Sequence, residues 1–234
     1  MAPEDSRLAV IIPALDEQDS IGRVIDAIPA DLHAEVIVVD NGSVDRTAQI
    51  AAERGARVVS QPERGYGAAC LAGLAALREA DVVAFLDADF SDDPALLPEL
   101  VGPIREGRAD FVVGSRMLGE REPGALPPHS RFGNWLAGLI LTHLYRQPAT
   151  DLGPFRAIRR SALERLQMRD RGYGWTIEMQ AKAARLRLPT VEVPVTYRKR
   201  IGRSKITGSL VPSIKAGVVI LSTAFRLLRW RPSR

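Results

Sequence analysis

Uninterrupted apolar runs recur along the first half of the chain. Residues 8–12 read LAVII, 36–39 read VIVV and 82–86 read VVAFL, with shorter pieces at 58–59 and 111–113. Runs this short with no polar alternation predict strands covered on both faces. The segments between them have helical spacing. Residues 17–28 put Ile21, Val24, Ile25 and Ile28 on one face, residues 45–54 end at Gly55, and residues 68–77 continue the series. Pro94 directly after Asp92 and Asp93 predicts a further helix start, with a carboxylate cap and proline in the first turn. Strands alternating with helices predict an α/β chain: right-handed βαβ units forming a Rossmann-like, mainly parallel sheet flanked by helices. Ligands bind such sheets at the carboxyl ends of the strands.

The second half has another texture. Residues 119–130, GEREPGALPPHS, are rich in proline and glycine and predict a mobile loop. The following RFGNWLAGLILTHLYRQ has a broad apolar face made of Trp135, Leu136, Leu139, Ile140, His143 and Leu144. Near the end, GSLVPSIKAGVVILSTAFRLLRW is amphipathic, interrupted by Pro212, Lys215 and Arg226. Its uncharged stretch is too short to span a bilayer, which takes about 20 helical residues. Both segments fit either a helix lying in a membrane interface or an ordinary core helix. The division expected is a catalytic domain over residues 1–208 and a basic amphipathic segment, peripheral to a membrane, over 209–234.

Charge sharpens this division. The chain of 234 residues carries +4 overall, yet from Val195 onward it has ten Lys or Arg and no Asp or Glu, so the body is acidic. A basic tail on an acidic body points to an anionic partner: a nucleic acid, a phosphorylated substrate or the inner membrane surface. Cys70 is the single cysteine and the three histidines are scattered, which excludes a disulfide framework and a Cys/His zinc site. The N-terminus lacks a signal-peptide pattern, so a cytoplasmic location is expected.

Each predicted strand ends in polar residues. The first ends in Pro13-Ala14-Leu15-Asp16-Glu17, the second in Asp40-Asn41-Gly42-Ser43, the fourth in Asp87-Ala88-Asp89 and the fifth in Gly114-Ser115-Arg116. Asp87, Asp89, Asp92 and Asp93 place four carboxylates within seven residues, and they repel one another unless cations intervene. An Asp-x-Asp pair at a strand end suits a hard divalent ion, Mg2+ or Mn2+, that also holds a diphosphate. No Walker motif is present, and Gly65-Tyr66-Gly67-Ala68-Ala69-Cys70 lacks the third glycine of a dinucleotide fingerprint.

In order along the chain, residues 13–17, VVDNGSVDRT, RGYGAA, FLDAD and VVGSR resemble the glycosyltransferase family 2 enzymes of GT-A fold. SRFGN, TDLGPFRAI, YGWTIEMQAKA and VEVPVTYRKRIGRSKITG extend the likeness toward the dolichyl-phosphate mannose synthase and glucosyltransferase branch. The resemblance implies nucleotide contacts from Pro13, Leu15, Glu17, Asp40, Asn41, Gly67, Asp87 and Ala88, and metal binding by Asp87 and Asp89. It places Arg116 at a phosphate of donor or acceptor, and Ser130, Arg131, Arg203 and Lys205 at the lipid phosphate. Asp89, Arg116, Arg203 and Lys205 would carry catalysis. Two departures stand out: Asn41 where members often have Asp, and Ser91 where mannose synthases often have Gln. Water or Asp92 would then complete the metal shell.

The implied reaction is inverting transfer of glucose or mannose from UDP-glucose or GDP-mannose to a polyprenyl phosphate at the cytoplasmic membrane face, with no nucleic-acid partner. A phosphate monoester is mostly dianionic at neutral pH, so the attack needs no protein base. A soluble sugar or glycerate acceptor is the alternative, and a non-catalytic nucleotide-sugar binding module is another. The basic runs Arg198-Lys199-Arg200 and Arg203-Ser204-Lys205 can hold the acceptor dianion in line without protonating it. Bland roles are available for several residues: a turn cap for Asp151, a structural ion pair for Arg156, an i,i+4 pair for Glu178 and Lys182, and a solvated strand end for Arg198, Lys199 and Arg200.

Overall fold

The computed structural model describes residues 6–202 and 210–232, with side chains from residue 217 onward in the second stretch. Among these residues seven strands form one sheet: β1 (Leu8–Ala14), β2 (Glu35–Asp40), β3 (Arg57–Ser60), β4 (Val82–Phe85), β5 (Phe111–Ser115), β6 (Arg156–Arg159) and β7 (Thr190–Pro194). Their order is β3-β2-β1-β4-β6-β5-β7. The β1–β2, β2–β3, β1–β4 and β5–β7 pairs are parallel, while β6 runs antiparallel to both β4 and β5. The mainly parallel sheet expected from the apolar runs is therefore present, with one reversed strand inserted between β4 and β5.

Among the described residues eight α-helices accompany the sheet: α1 (Ile21–Asp26), α2 (Thr47–Glu53), α3 (Tyr66–Ala75), α4 (Leu97–Arg105), α5 (Pro128–Tyr145), α6 (Arg160–Leu166), α7 (Trp175–Arg185) and α8 (Leu210–Leu227). Strand geometry divides them between two faces. Leu8, Val10 and Ile12 of β1 point to the side covered by Ile21, Val24 and Ile25 of α1, Ala51 of α2 and Leu97, Leu100 and Ile104 of α4. Ala9 and Ile11 point the other way, toward Ala69 and Cys70 of α3, Leu163 of α6 and Met179 of α7. Both faces of β1 are buried, which is why its sequence is continuously apolar. A third cluster joins α5, α7 and α8 through Leu141, Ile177, Ala181, Ala224 and Leu227.

Three local expectations change. The helix foreseen from residue 17 begins only at Ile21. Asp16 is in the left-handed region at φ 49°, and the Glu17 carbonyl accepts from the amides of Ser20 and Ile21, so a turn precedes the helix. Residues 119–130 are not wholly loop: Ser130 lies in the first turn of α5, and the backbone of Glu120 and Glu122 exchanges hydrogen bonds with Tyr197. Arg156 forms no ion pair among the described residues. It is fully buried and donates to the carbonyls of Leu152, Gly153 and Thr176, and burial lowers its pKa to about 10. The Glu178–Lys182 pair is present at 2.7 Å.

Candidate active site

The carboxyl ends of β1, β2 and β4 meet at a cavity of about 360 Å³. Pro13, Leu15, Glu17, Asn41, Asp87, Ala88 and Asp89 line it, so seven residues predicted from the strand ends converge on one place. Local bonding ties the contributing loops together. Asp16 donates its amide to the Ser43 hydroxyl and accepts from the amide of Val44, and the amide of Glu17 donates to Thr47 Oγ1 at 2.7 Å. Ala14, Arg64, Gly65, Tyr66, Tyr173 and Arg200 complete the wall; Arg64, Gly65, Tyr66 and Tyr173 were not among the predicted site residues, while Arg200 belongs to the basic run expected to hold the acceptor phosphate.

Mutual repulsion among the four carboxylates is relieved in four ways. Asp93 caps the turn at Pro94 and pairs with Arg198. Asp89 accepts from the amide of Ser91 at 2.9 Å and its hydroxyl at 2.6 Å, and lies 3.2 Å from Arg200. Asp87 accepts from the Tyr66 hydroxyl at 3.1 Å. Burial, then the neighbouring Asp89 charge, pushes its pKa up to about 7. Asp92 is fully buried, lines neither cavity described here, and has no hydrogen-bond partner on either oxygen among the described residues. Burial, then Asp87, raises its pKa well above the usual carboxylate range. Asp92 is thus set back from the cavity that Asp87 and Asp89 line, and the Ser91 hydroxyl orients Asp89.

Arg200 carries its guanidinium into the cavity between two carboxylates, 3.0 Å from Glu17 and 3.2 Å from Asp89. Backbone bonds hold its segment there: Arg198 donates to the Ser91 carbonyl and Ile201 to the Asp89 carbonyl. Arg198 and Arg200 are therefore not a solvated strand end. Asp87 and Asp89, both facing one cavity, supply the hard oxygen donors that Mg2+ or Mn2+ prefers. No cluster of three His, Cys, Asp or Glu suited to a metal occurs among the described residues, so diphosphate and water oxygens would have to fill the remaining positions.

Other predicted residues lie elsewhere. Asp40 is outside the cavity lining and accepts from the Ser43 amide. Asn41 lines the cavity, yet its side chain is spent on the backbone of Gln61, Glu63 and Gly65. Gly67 packs against residues 170–172, where a Cβ would stand 2.1 Å from the Asp170 carbonyl. Arg203 and Lys205 lie outside the described residues.

A second cavity, about 290 Å³, adjoins the first and shares Tyr66, Asp87 and Tyr173 with it. Arg116 and Ser130 line it, and Arg131 is exposed and does not. Arg116 makes a two-pronged ion pair with the fully buried side chain of Asp151, at 2.7 and 2.8 Å, and stacks 5.0 Å from the Tyr197 ring. Asp151 is thus a fixed partner for Arg116, not a turn cap. The rest of the wall is largely apolar and comes from residues 125–127, Leu152, Pro154, Tyr197 and the helices α5, α7 and α8.

A helix-flanked mixed sheet with an acidic cavity at its strand ends is the architecture of GT-A glycosyltransferases. The crystal structure of glucosyl-3-phosphoglycerate synthase from Mycobacterium tuberculosis, in complex with Mn2+, UDP and glucosyl-3-phosphoglycerate, matches with a TM-score of 0.78 and 26% identity, covering 98% of this chain and 82% of that one. The model of "Glycosyl transferase family 2" matches residues 9–167, and the chain belongs to this family of glycosyltransferase enzymes. An uncharacterised glycosyltransferase of Mycobacterium tuberculosis is 41% identical over 212 residues, 89% of this chain and 94% of the relative. The undecaprenyl-phosphate mannosyltransferase of Micrococcus luteus is 32% identical over 222 residues, 88% and 89% of the two chains.

Proposed function

We propose that this enzyme transfers a hexose, glucose or mannose, from a nucleoside-diphosphate sugar to a polyprenyl phosphate, with inversion, at the cytoplasmic face of a membrane. The observation that carries the reading is the pair of adjoining cavities. One is acidic and lined by Glu17, Asp87 and Asp89; the other is largely apolar, and Asp87, Tyr66 and Tyr173 belong to both. Such a pair suits a polar donor and an amphiphilic acceptor that meet at Asp87. The likeness to the Micrococcus luteus enzyme, whose name specifies a prenyl-phosphate acceptor, supports the same choice.

Each residue has a task in this reading. Asp87 and Asp89 would hold Mg2+ or Mn2+, which neutralises the diphosphate leaving group when bound. Arg200 swings from the carboxylates it now pairs with onto a diphosphate oxygen, and Tyr66 keeps Asp87 aimed into the cavity. The acceptor phosphate is already dianionic, so what it needs is alignment by Arg116 and Ser130 and by Arg203 and Lys205, without protonation. Arg131 would meet the phosphate only as the acceptor enters.

A second reading, a soluble phosphorylated acceptor, is favoured by the likeness to glucosyl-3-phosphoglycerate synthase. Incubation with labelled UDP-glucose or GDP-mannose, Mn2+ and a long-chain polyprenyl phosphate separates the two. Label moving into the organic phase supports the proposal; label moving only onto added 3-phosphoglycerate overturns it.

A further inference from the structure

We propose that Arg146, Arg185 and Arg187, gathered where α5 and α7 end, form an anion site separate from both cavities described above, and that its ligand presents a doubly charged phosphate. Such a site owes nothing to which acceptor the enzyme uses.

The sequence supplies the first observation. The chain carries 28 Asp and Glu, yet residues 123–150 and 179–191 contain neither. These two acid-free stretches include the last turns of α5 and α7, and they meet around a cavity of about 730 Å³. Its wall holds three guanidiniums, the Gln147 amide and no carboxylate among the described residues. Leu144 and Leu188 contribute apolar surface, and the Tyr145 hydroxyl is taken up by the Ala224 carbonyl.

The state of the guanidiniums is the second observation. Elsewhere on the surface arginines stand against carboxylates, as Arg7 does with Glu79, Arg57 with Glu35, Arg160 with Glu164 and Arg171 with Glu63. Among the described residues the side chains of Arg146 and Arg187 have no partner, and that of Arg185 has only the Trp230 carbonyl, at 3.4 Å. A further cavity beside Trp230 also gathers cations, but there Lys182 pairs with Glu178 at 2.7 Å and Asp170 shares the wall. At the α5–α7 site the chain itself supplies no counter-ion.

Helix ends account for part of the charge. A C-terminus carries about half a negative charge, so those of α5 and α7 together offset about one of the three positive charges and leave about two. Backbone geometry adds to this. Arg146 and Arg187 lie in the left-handed region, at φ 57° and 53°, where helices ordinarily end in glycine. Glycine would suit both turns better; arginine keeps a guanidinium at the wall instead. A phosphate monoester carries about −1.5 to −2 at neutral pH and accepts charge-assisted bonds on three oxygens, which matches the charge left over and the donors present.

Position separates this site from the reaction. About 24 Å of helix lies between Ser130, in the second cavity, and Arg146 at the end of α5. A ligand here is therefore neither donor nor acceptor in the act of transfer. Leu144, exposed and part of the wall, suits a phosphate carried on an amphiphile, while the guanidiniums serve a soluble phosphate equally well. The phosphate is common to both sources.

Binding is read by calorimetry with inorganic phosphate, on protein whose donor site is filled with UDP and Mg2+, and by flotation with phosphatidylcholine vesicles with or without phosphatidic acid, whose head is a phosphate monoester. The test variant combines Arg146→Gly with Arg187→Gly, because glycine accepts the left-handed backbone at both positions and so keeps the fold. Arg185→Gln, which leaves both turns intact, is a second variant. Arg23→Ala with Arg165→Ala, two exposed arginines elsewhere, removes the same charge as a control. Wild type and control should bind at least one probe, and both test variants should bind it at least about tenfold more weakly with melting temperatures near that of the wild type. Saturable binding of inorganic phosphate would show that a free phosphate suffices; binding of phosphatidic-acid vesicles alone would assign the site to a lipid head. Wild-type affinity in the test variants, an equal loss in the control, or no binding of either probe would overturn the inference.

Discussion

Asp89 combines three features: burial at 6% exposure, two bonds from Ser91, and the guanidinium of Arg200 at 3.2 Å. Asn at this position keeps the shape and removes the charge. Asp89→Asn should therefore lower turnover at least about a hundredfold, in line with the loss of a preorganised electrostatic group, with little change in melting temperature. Activity near wild type would remove Asp89 from the metal site. Arg200 leads to a second expectation. With Arg200→Ala, Glu17 and Asp89 lose their shared cation, so the protein should melt lower in EDTA and regain most of the difference when Mn2+ is added. A deficit indifferent to Mn2+ would mean that Arg200 does not occupy a cation position. Glu17, Asp87 and Asp89 were legible as site residues because strand-end placement follows from the apolar pattern. For Arg200 the sequence showed a basic run fit to hold an anion but not its pairing with Glu17, since that ion pair closes over 183 residues and no local spacing records it.

Among the elements, the parallel units were legible and the reversed strand was not. The apolar runs of β1, β2 and β4 reflect burial on both faces, which is a local property of the sequence. β6, with the sequence RAIR, carries two arginines and no run; its place between β4 and β5 depends on tertiary pairing and on Arg156 finding three buried carbonyls. The RGYG stretch shows the same limit. The resemblance marks Gly67 for the nucleotide, whereas the geometry sets it against residues 170–172, which also receive hydrogen bonds from the amides of Gly67 and Ala68. Gly67→Ala would force a Cβ to within 2.1 Å of the Asp170 carbonyl. Overpacking of this kind costs about 1–3 kcal/mol, so chemical denaturation of the ligand-free protein should show a loss of that size. Unchanged stability with weakened nucleotide binding would restore the role suggested by the resemblance.

At the level of the whole molecule, the cavity lined by Asp87 and Asp89 adjoins the largely apolar one, and exposed apolar side chains lie on α5 and α8, two helices that help line the latter. Among the described residues no helix is long and apolar enough to cross a membrane. The exposed side chains of Phe132, Trp135, Val218 and Phe225 on α5 and α8, with Arg226, Arg229 and Arg231 beside them in sequence, fit interfacial contact of two kinds. The protein should pellet with anionic vesicles. At about 0.5 M salt, where charges are screened beyond roughly 4–5 Å, it should be released only in part. A Phe132→Ser, Trp135→Ser double variant should then be released fully. Complete release of the wild type by salt would assign attachment to charge alone, and failure to pellet at low salt would remove the membrane from the account. The amphipathic segment was legible from its pattern. Its packing against α5 and α7 through Ala224 and Leu227 was not, because either an interfacial or a core helix satisfies the same periodicity.

The central claim concerns the acceptor, and a competition in one vessel tests it most directly. The wild-type enzyme is given a nucleotide sugar, Mn2+, and equal concentrations of a detergent-dispersed polyprenyl phosphate and 3-phosphoglycerate, and the products are followed by mass spectrometry. The account predicts a prenyl phosphate heavier by one hexose residue as the dominant product, absent when EDTA replaces Mn2+. Accumulation of hexosyl-phosphoglycerate with the lipid left unmodified would contradict it.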